Sequence, residues 1–132
     1  DVKSFIREVN EEFNVEMWGY DPWKMTEICL DLDDEGLPMV AVSQGTGNMS
    51  EPAKKLEGLI KDGTFHYNDN MIEFAASNAV CKTTDADNVK ITRERPDTDK
   101  IDPIIATIIS LSCATLQKVE KDPYEERGIL FL

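Results

Sequence analysis

The sequence is poor in the residues that most catalytic centres are built from. It holds one histidine, three cysteines and 14 basic residues against 26 acidic ones in 132 residues. A lone His66 leaves little material for a histidine-rich zinc site or a Ser-His-Asp triad, and a place in a hairpin is expected for it. Cys29, Cys81 and Cys113 are odd in number, widely spaced and set in apolar stretches. That pattern excludes a disulfide framework and a zinc knuckle, and predicts reduced core thiols. No apolar run is long enough to span a bilayer, and the opening segment lacks the basic-then-apolar order of a signal peptide, so a soluble, intracellular protein without membrane contact is expected. Gln44-Gly45-Thr46-Gly47-Asn48 has neither a Gly-Lys-Ser/Thr ending nor the G-x-G-x-x-G pattern, and reads as a flexible loop before a helix rather than a phosphate loop. Internal repeats, low-complexity tracts and a Gly/Pro/Ser-rich linker are all missing, which predicts one domain over residues 1–132.

Basic charge is the other scarcity. The formal net charge of −12 argues against a broad nucleic-acid footprint. Its distribution is uneven, however. Acidic residues cluster at 8–12, 31–35 and 120–126, while Lys82, Lys90, Arg93, Arg95 and Lys100 gather in one segment. A carboxylate site that holds divalent cations also needs negative charge, and the bound cations then reverse the local potential felt by a phosphate.

What is present is an alternating pattern. Val2, Phe5, Ile6, Val9 and Phe13 recur at helical spacing and predict an amphipathic helix with one buried face, ending near Asn14. Val15 to Tyr20 reads as a short buried strand stopped by Asp21-Pro22. A helix with Met25, Ile28, Cys29 and Leu32 on one face follows, then a buried strand at Met39 to Val42. Ser50 is placed to cap a helix that carries Pro52 early, turns Leu56, Leu59 and Ile60 to the core and closes at Gly63. Thr64–Tyr67, Met71–Lys82 and Val89–Ile91 read as strands of β-hairpins, separated by turn-forming runs at Asn68 to Asn70 and Asp85 to Asn88. After a charged loop, Ile101-Asp102-Pro103 opens a helix whose apolar residues point nearly all round it, as in a helix buried on several sides. Residues 122–132 are expected as a surface extension.

Asp21 and Asp102 are the acids most suggestive of chemistry. One follows a buried strand directly and the other precedes a buried helix, and such positions meet at one edge of a sheet. Magnesium and manganese take hard oxygen ligands, and carboxylates from separate elements are how two-metal phosphodiesterases hold their ions. From spacing alone, helix capping is the stronger explanation of Asp-Pro, and the same dipeptide recurs at Asp122-Pro123. Lys90, Arg93, Arg95 and Lys100 would suit a DNA backbone beside such a site, though an isolated charge run is more often a solvated surface. Trp18 and Trp23 read as core or rim aromatics, Trp23 being close enough to Asp21 to shape a site.

The order of short motifs carries more than any of them alone. Tyr20-Asp21-Pro22-Trp23, Gln44-Gly45 with Met49-Ser50 and the helix to Gly63, His66-Tyr67-Asn68, Ala76-Ser77-Asn78, the basic loop from Asn88 to Lys100, Ile101-Asp102-Pro103-Ile104-Ile105-Ala106 and Tyr124-Glu125-Glu126-Arg127-Gly128 together resemble the C-terminal nuclease domain of tailed-phage terminase large subunits. The resemblance implies an α/β, ribonuclease-H-like mixed sheet flanked by helices, with an added β-hairpin region. It implies an acidic cluster that binds two magnesium or manganese ions and cleaves concatemeric DNA during head filling. Asp21 would be the acid after the central strand and Asp102 the acid opening the last helix, both as metal ligands and catalytic residues. In that family a further metal-binding aspartate lies in a unit of three strands before the helix with which this sequence opens. With those N-terminal three strands absent, the sequence is expected to be a partial terminase-type nuclease domain, inactive alone. Pro103 stands where the family often has glycine. Partners implied are double-stranded DNA, an upstream packaging ATPase domain, the portal and the small terminase subunit, in the cytoplasm of a bacterial host and of phage or prophage origin. A second reading, a non-catalytic ribonuclease-H-like module that binds another protein through its acidic surface, predicts indifference to divalent metals.

Overall fold

The computed structural model describes residues 1–120, apart from the side chains of Lys24 and residues 117–120. In chain order the elements are α1 (Val2–Glu12), β1 (Trp18–Tyr20), α2 (Pro22–Asp34), β2 (Met39–Ala41), α3 (Thr46–Lys61), α4 (Asn70–Asn78), β3 (Val80–Thr83), β4 (Val89–Thr92) and α5 (Asp102–Glu120). The architecture is mixed α/β. Its described strands form two separate pairs, β1 parallel to β2 and β3 antiparallel to β4. Parallel strands need a long crossover, and α2 supplies it.

Helix ends follow local chemistry. The Asp1 and Asp21 carboxylates cap α1 and α2 by accepting from the backbone N–H of Lys3 and Trp23, and Asp69 caps α4 by accepting from Met71. Gly36 and Gly63, at φ 93° and 68°, stop α2 and α3 in the left-handed conformation that glycine adopts without strain.

The core lies between α3, α4 and α5, with Val42, Met49, Ala53, Leu56, Ala75, Ile104, Ile108, Ile109 and Cys113 buried together. Helix α5 also packs on β1, and there Gly19 sets the spacing. A Cβ at Gly19 would lie 2.6 Å from Cys113 Sγ and 2.7 Å from Ile109 Cγ2, closer than real side chains approach. Helix α1 is tied to α2 by ion pairs, Lys3 with Asp31 and Arg7 with Glu35, and to β1 by Trp18 Nε1 donating to Asn10 Oδ1 at 3.0 Å.

Several expectations are corrected. Met71–Lys82 is not one strand: residues 70–78 are helical and only Val80–Thr83 pairs. The run Asn68 to Asn70 supplies a helix cap rather than a hairpin turn, and Met71, Glu73, Ala75 and Ala76 are good helix formers, with Ile72 the one β-branched residue of the helix. Thr64–Tyr67 joins no ladder, so His66 sits in an exposed, unpaired segment instead of a hairpin. Ser50 is no cap. Helix α3 starts at Thr46 behind Gly45, and Ser50, 1% exposed in its interior, accepts the Val89 N–H at 2.8 Å. The first strand is Trp18–Tyr20 rather than Val15 to Tyr20. Of the apolar stripe of α1 only Ile6 is buried, while Val2, Phe5 and Phe13 are exposed. Cys29 and Cys113 are buried thiols, their pKa raised by burial, but Cys81 on β3 is exposed. Helix α5 is buried along one side, with Asp102, Ala106, Ser110 and Leu116 exposed. Residues 122–132, including Tyr124 to Gly128, lie outside the described residues.

Candidate functional site

Asp21 sits where β1 gives way to α2. Its Oδ1 accepts the Trp23 N–H at 3.0 Å, and its Oδ2 accepts from Gln44 Nε2 at 2.8 Å. Gln44 follows β2, so the parallel pairing of the two strands brings it beside Asp21 from 23 residues away. The carboxylate is thereby fixed in orientation by a cap on one side and an amide on the other. Capping accounts for half of its contacts and leaves the Gln44 bond unexplained.

Asp102 differs. It is itself the first residue of α5, and the carbonyl that accepts the first helical bonds is that of Ile101, from Ile104 and Ile105. The Asp102 side chain is exposed and, among the described residues, makes no hydrogen bond or ion pair. An acid at the first turn is favoured by the helix dipole, but capping does not explain it.

A cleft of about 540 Å³ opens beside Asp21. It runs along β1 between α1 and α2 on one side and α5 on the other, lined by Asp21, Gly19, Met25 and Cys29 together with Ala106, Ile109 and Ser110. Asp102, Ala106 and Ser110 are spaced four residues apart, so they stand in one row on α5, and Asp102 lies about 6 Å along the axis from Ala106. Asp21 therefore shares the cleft with Ala106 and Ser110, which continue the α5 row from Asp102. Trp23, 86% exposed, is a surface rather than a core aromatic.

The open edge of β1 completes this geometry. Residues 18 and 20 bond toward β2, with Trp18 N–H donating to Pro38 O and Tyr20 O accepting from Val42 N–H. By the alternation of a parallel ladder, the backbone groups of Gly19 point the other way, where no described strand pairs.

A model of the terminase large subunit endonuclease domain matches residues 1–118. The chain belongs to that family. It is 27% identical over 119 residues to the terminase large subunit of Enterobacteria phage HK97, covering 88% of this chain and 23% of that protein. The crystal structure of the HK97 bacteriophage large terminase superposes with a TM-score of 0.72 at 27% identity, over 85% of this chain and 24% of that one. The chain thus spans about a quarter of the length of these relatives.

The basic residues of this terminase-family chain are not equivalent. Asp99, 6% exposed, gathers the loop around itself: it accepts from the Arg95 N–H at 3.0 Å and from Thr98 Oγ1 at 3.3 Å, and pairs with the Arg95 guanidinium at 3.1 Å. Its carboxyl is held below the usual range, first by the Arg95 backbone N–H, against the opposing effect of burial, and then by the Arg95 side chain. Arg93 donates to the Asp99 carbonyl at 3.3 Å. Arg93 and Arg95 therefore build the loop, whereas Lys90 and Lys100 are exposed without a carboxylate partner among the described residues. Lys90 also borders a smaller cleft with Gln44, Thr46 and Ile105, next to the residue that holds Asp21.

Sequence reasoning missed Gln44, Asp99 and Gly19. Gln44 stood in one of the ordered motifs, Gln44-Gly45, but nothing local tied it to Asp21, and Asp99 was hidden in a charged run. Among the described residues no three His, Cys, Asp or Glu side chains approach closely enough to enclose a metal ion. Asp21 and Asp102 have the right donor chemistry, hard carboxylate oxygens, but supply only part of a ligand set.

Proposed function

We propose that this chain contributes the DNA-cleaving domain of a viral packaging terminase, in a ribonuclease-H-like arrangement, with Asp21 and Asp102 as two of the carboxylates that hold magnesium or manganese. The observation that carries the reading is the cleft beside Asp21: oriented by Gln44, that carboxylate shares the cleft with Ala106 and Ser110 of α5, the helix that opens with the uncommitted Asp102. The cations, when bound, would activate water and neutralise charge on the scissile phosphodiester. The chain's own part is to fix the Asp21 carboxylate through Gln44 and Trp23 N–H, to present Asp102 from a helix N-terminus, and to bring Lys90 alongside for the DNA backbone.

A third acid is needed to close the site. On this reading it comes from a strand of the longer protein seated on the open edge of β1, and the present chain alone does not cut DNA. The packaging ATPase domain, the portal and the small subunit are partners of that longer protein, which acts on concatemeric DNA in the host cytoplasm.

The test is manganese-dependent nicking of supercoiled plasmid by this chain beside a longer form that adds three upstream strands, each with an Asp102→Ala counterpart. Activity confined to the longer form and lost with Asp102→Ala supports the reading. Silence in both forms favours a non-catalytic module binding protein through its acidic surface, and activity in both would mean that this chain holds a complete site.

A further inference from the structure

The register of the hairpin sets two lysines side by side. Lys82 on β3 lies directly opposite Lys90 on β4, so both side chains rise from the same face. The other face, with Val89 and Ile91, packs toward the core. Directly opposed residues hold their Cβ atoms roughly 5 Å apart, and like charges in that position repel. Both lysines are exposed, and neither has a carboxylate within ion-pairing distance among the described residues. In a chain with 26 acidic residues against 14 basic ones, an unneutralised ammonium pair at fixed spacing is out of keeping with its surroundings.

The hairpin that presents the pair is rigidly based. Ser50 of α3 accepts the Val89 N–H, the turn is closed by Thr84 N–H donating to Asn88 O at 2.8 Å, and β4 packs along α3. The pair is also well placed, since Lys90 borders the cleft that contains Gln44, the residue holding Asp21. Beyond it, Asp85 and Asp87 make the turn acidic, which confines attraction for an anion to the middle of the hairpin.

We infer that Lys82 and Lys90 form a two-pronged clamp for one backbone phosphate of duplex DNA, seating the strand beside Asp21. The inference rests on the nuclease reading and adds to it a residue, Lys82, and a division of labour: the hairpin pair grips DNA, while Arg93 and Arg95 are spent on holding their own loop. Phosphate relieves the repulsion between the ammonium groups, so the clamp is tighter bound than free. Because both prongs meet the same phosphate, removing either one loosens the whole contact.

The test is fluorescence anisotropy with a labelled random-sequence duplex and this chain, between 50 and 200 mM salt, for the wild type, Lys82→Gln, Lys90→Gln, the double variant and Lys54→Gln. Lys54 pairs with Glu51 on α3 and serves as control. One lost phosphate contact lowers the slope of log K against log salt by about 0.9, which is roughly a 3.5-fold change in affinity ratio across that range. The expected result is that either single variant loses most of what the double loses, that Lys54→Gln matches the wild type, and that the melting temperature without DNA is unchanged or raised. Wild-type binding with an unaltered slope in the double variant overturns the clamp and leaves the nuclease reading standing. Failure of the wild type to bind duplex at all also overturns the clamp, whereas the nuclease reading stands or falls on nicking by the longer form.

Discussion

Gly19→Ala tests the packing that places α5 against β1. The added methyl would lie 2.6 Å from Cys113 Sγ and 2.7 Å from Ile109 Cγ2. Neither neighbour can yield cheaply, because Cys113 and Ile109 are 5% and 8% exposed and the contacting methyl of Ile109 is fixed to its branched Cβ. Overpacking of this kind costs about 1–3 kcal/mol. For a chain of this size that corresponds to roughly 4 °C in melting temperature per kcal/mol. The assay is urea unfolding followed by tryptophan fluorescence, with Gly58→Ala as reference: Gly58 lies inside α3 with nothing within 4 Å of an added Cβ. Removing a helical glycine there should stabilise the chain by about 0.5–1 kcal/mol. Adding Cys113→Ala to Gly19→Ala should recover part of the loss, since the sulfur is the nearest atom. A Gly19→Ala variant as stable as the wild type would refute the close approach of helix to strand, and with it the cleft that Asp21 shares with Ala106 and Ser110 of α5.

Two further outcomes are expected. Ser50→Ala leaves the part-buried Val89 N–H without its acceptor at the base of the hairpin, a loss of about 1 kcal/mol; faster amide exchange at Val89 is the measurement, and unchanged protection would refute the role. Asp99 has a folded pKa lowered below its unfolded value, so its contribution to stability is present above the unfolded pKa and is lost as pH falls through the folded one. Urea midpoints from neutral to acid pH should therefore fall less steeply for Asp99→Asn than for the wild type, and parallel curves would show that the loop does not depend on this charge.

Legibility in the sequence was greatest where structure is local. The Asp21-Pro22 junction, the glycine stops after α2 and α3 and the start of α5 all follow from one or two residues acting on their own backbone. Period alone misassigned residues 71–78, because a short apolar run has no unambiguous repeat and the capping role of Asp69 was indistinguishable from a turn. The exposed Phe5 and Phe13 show the same limit from another side: an amphipathic stripe states which face can be buried, and only the surrounding elements determine whether it is.

By itself the sequence determined the alternation of helices and strands, the scarcity of histidine and cysteine chemistry, the two acids at element boundaries and the ordered motifs of the terminase nuclease family. Tertiary structure alone decided what those residues do. Pairing β1 with β2 puts Gln44 on Asp21, the contact of α5 at Gly19 brings the Asp102 row to the same cleft, the hairpin register opposes Lys82 to Lys90, and the fold of one loop commits Arg95 to Asp99. Each of these is a meeting of residues whose partner is chosen by register and packing, which no local preference along the chain encodes.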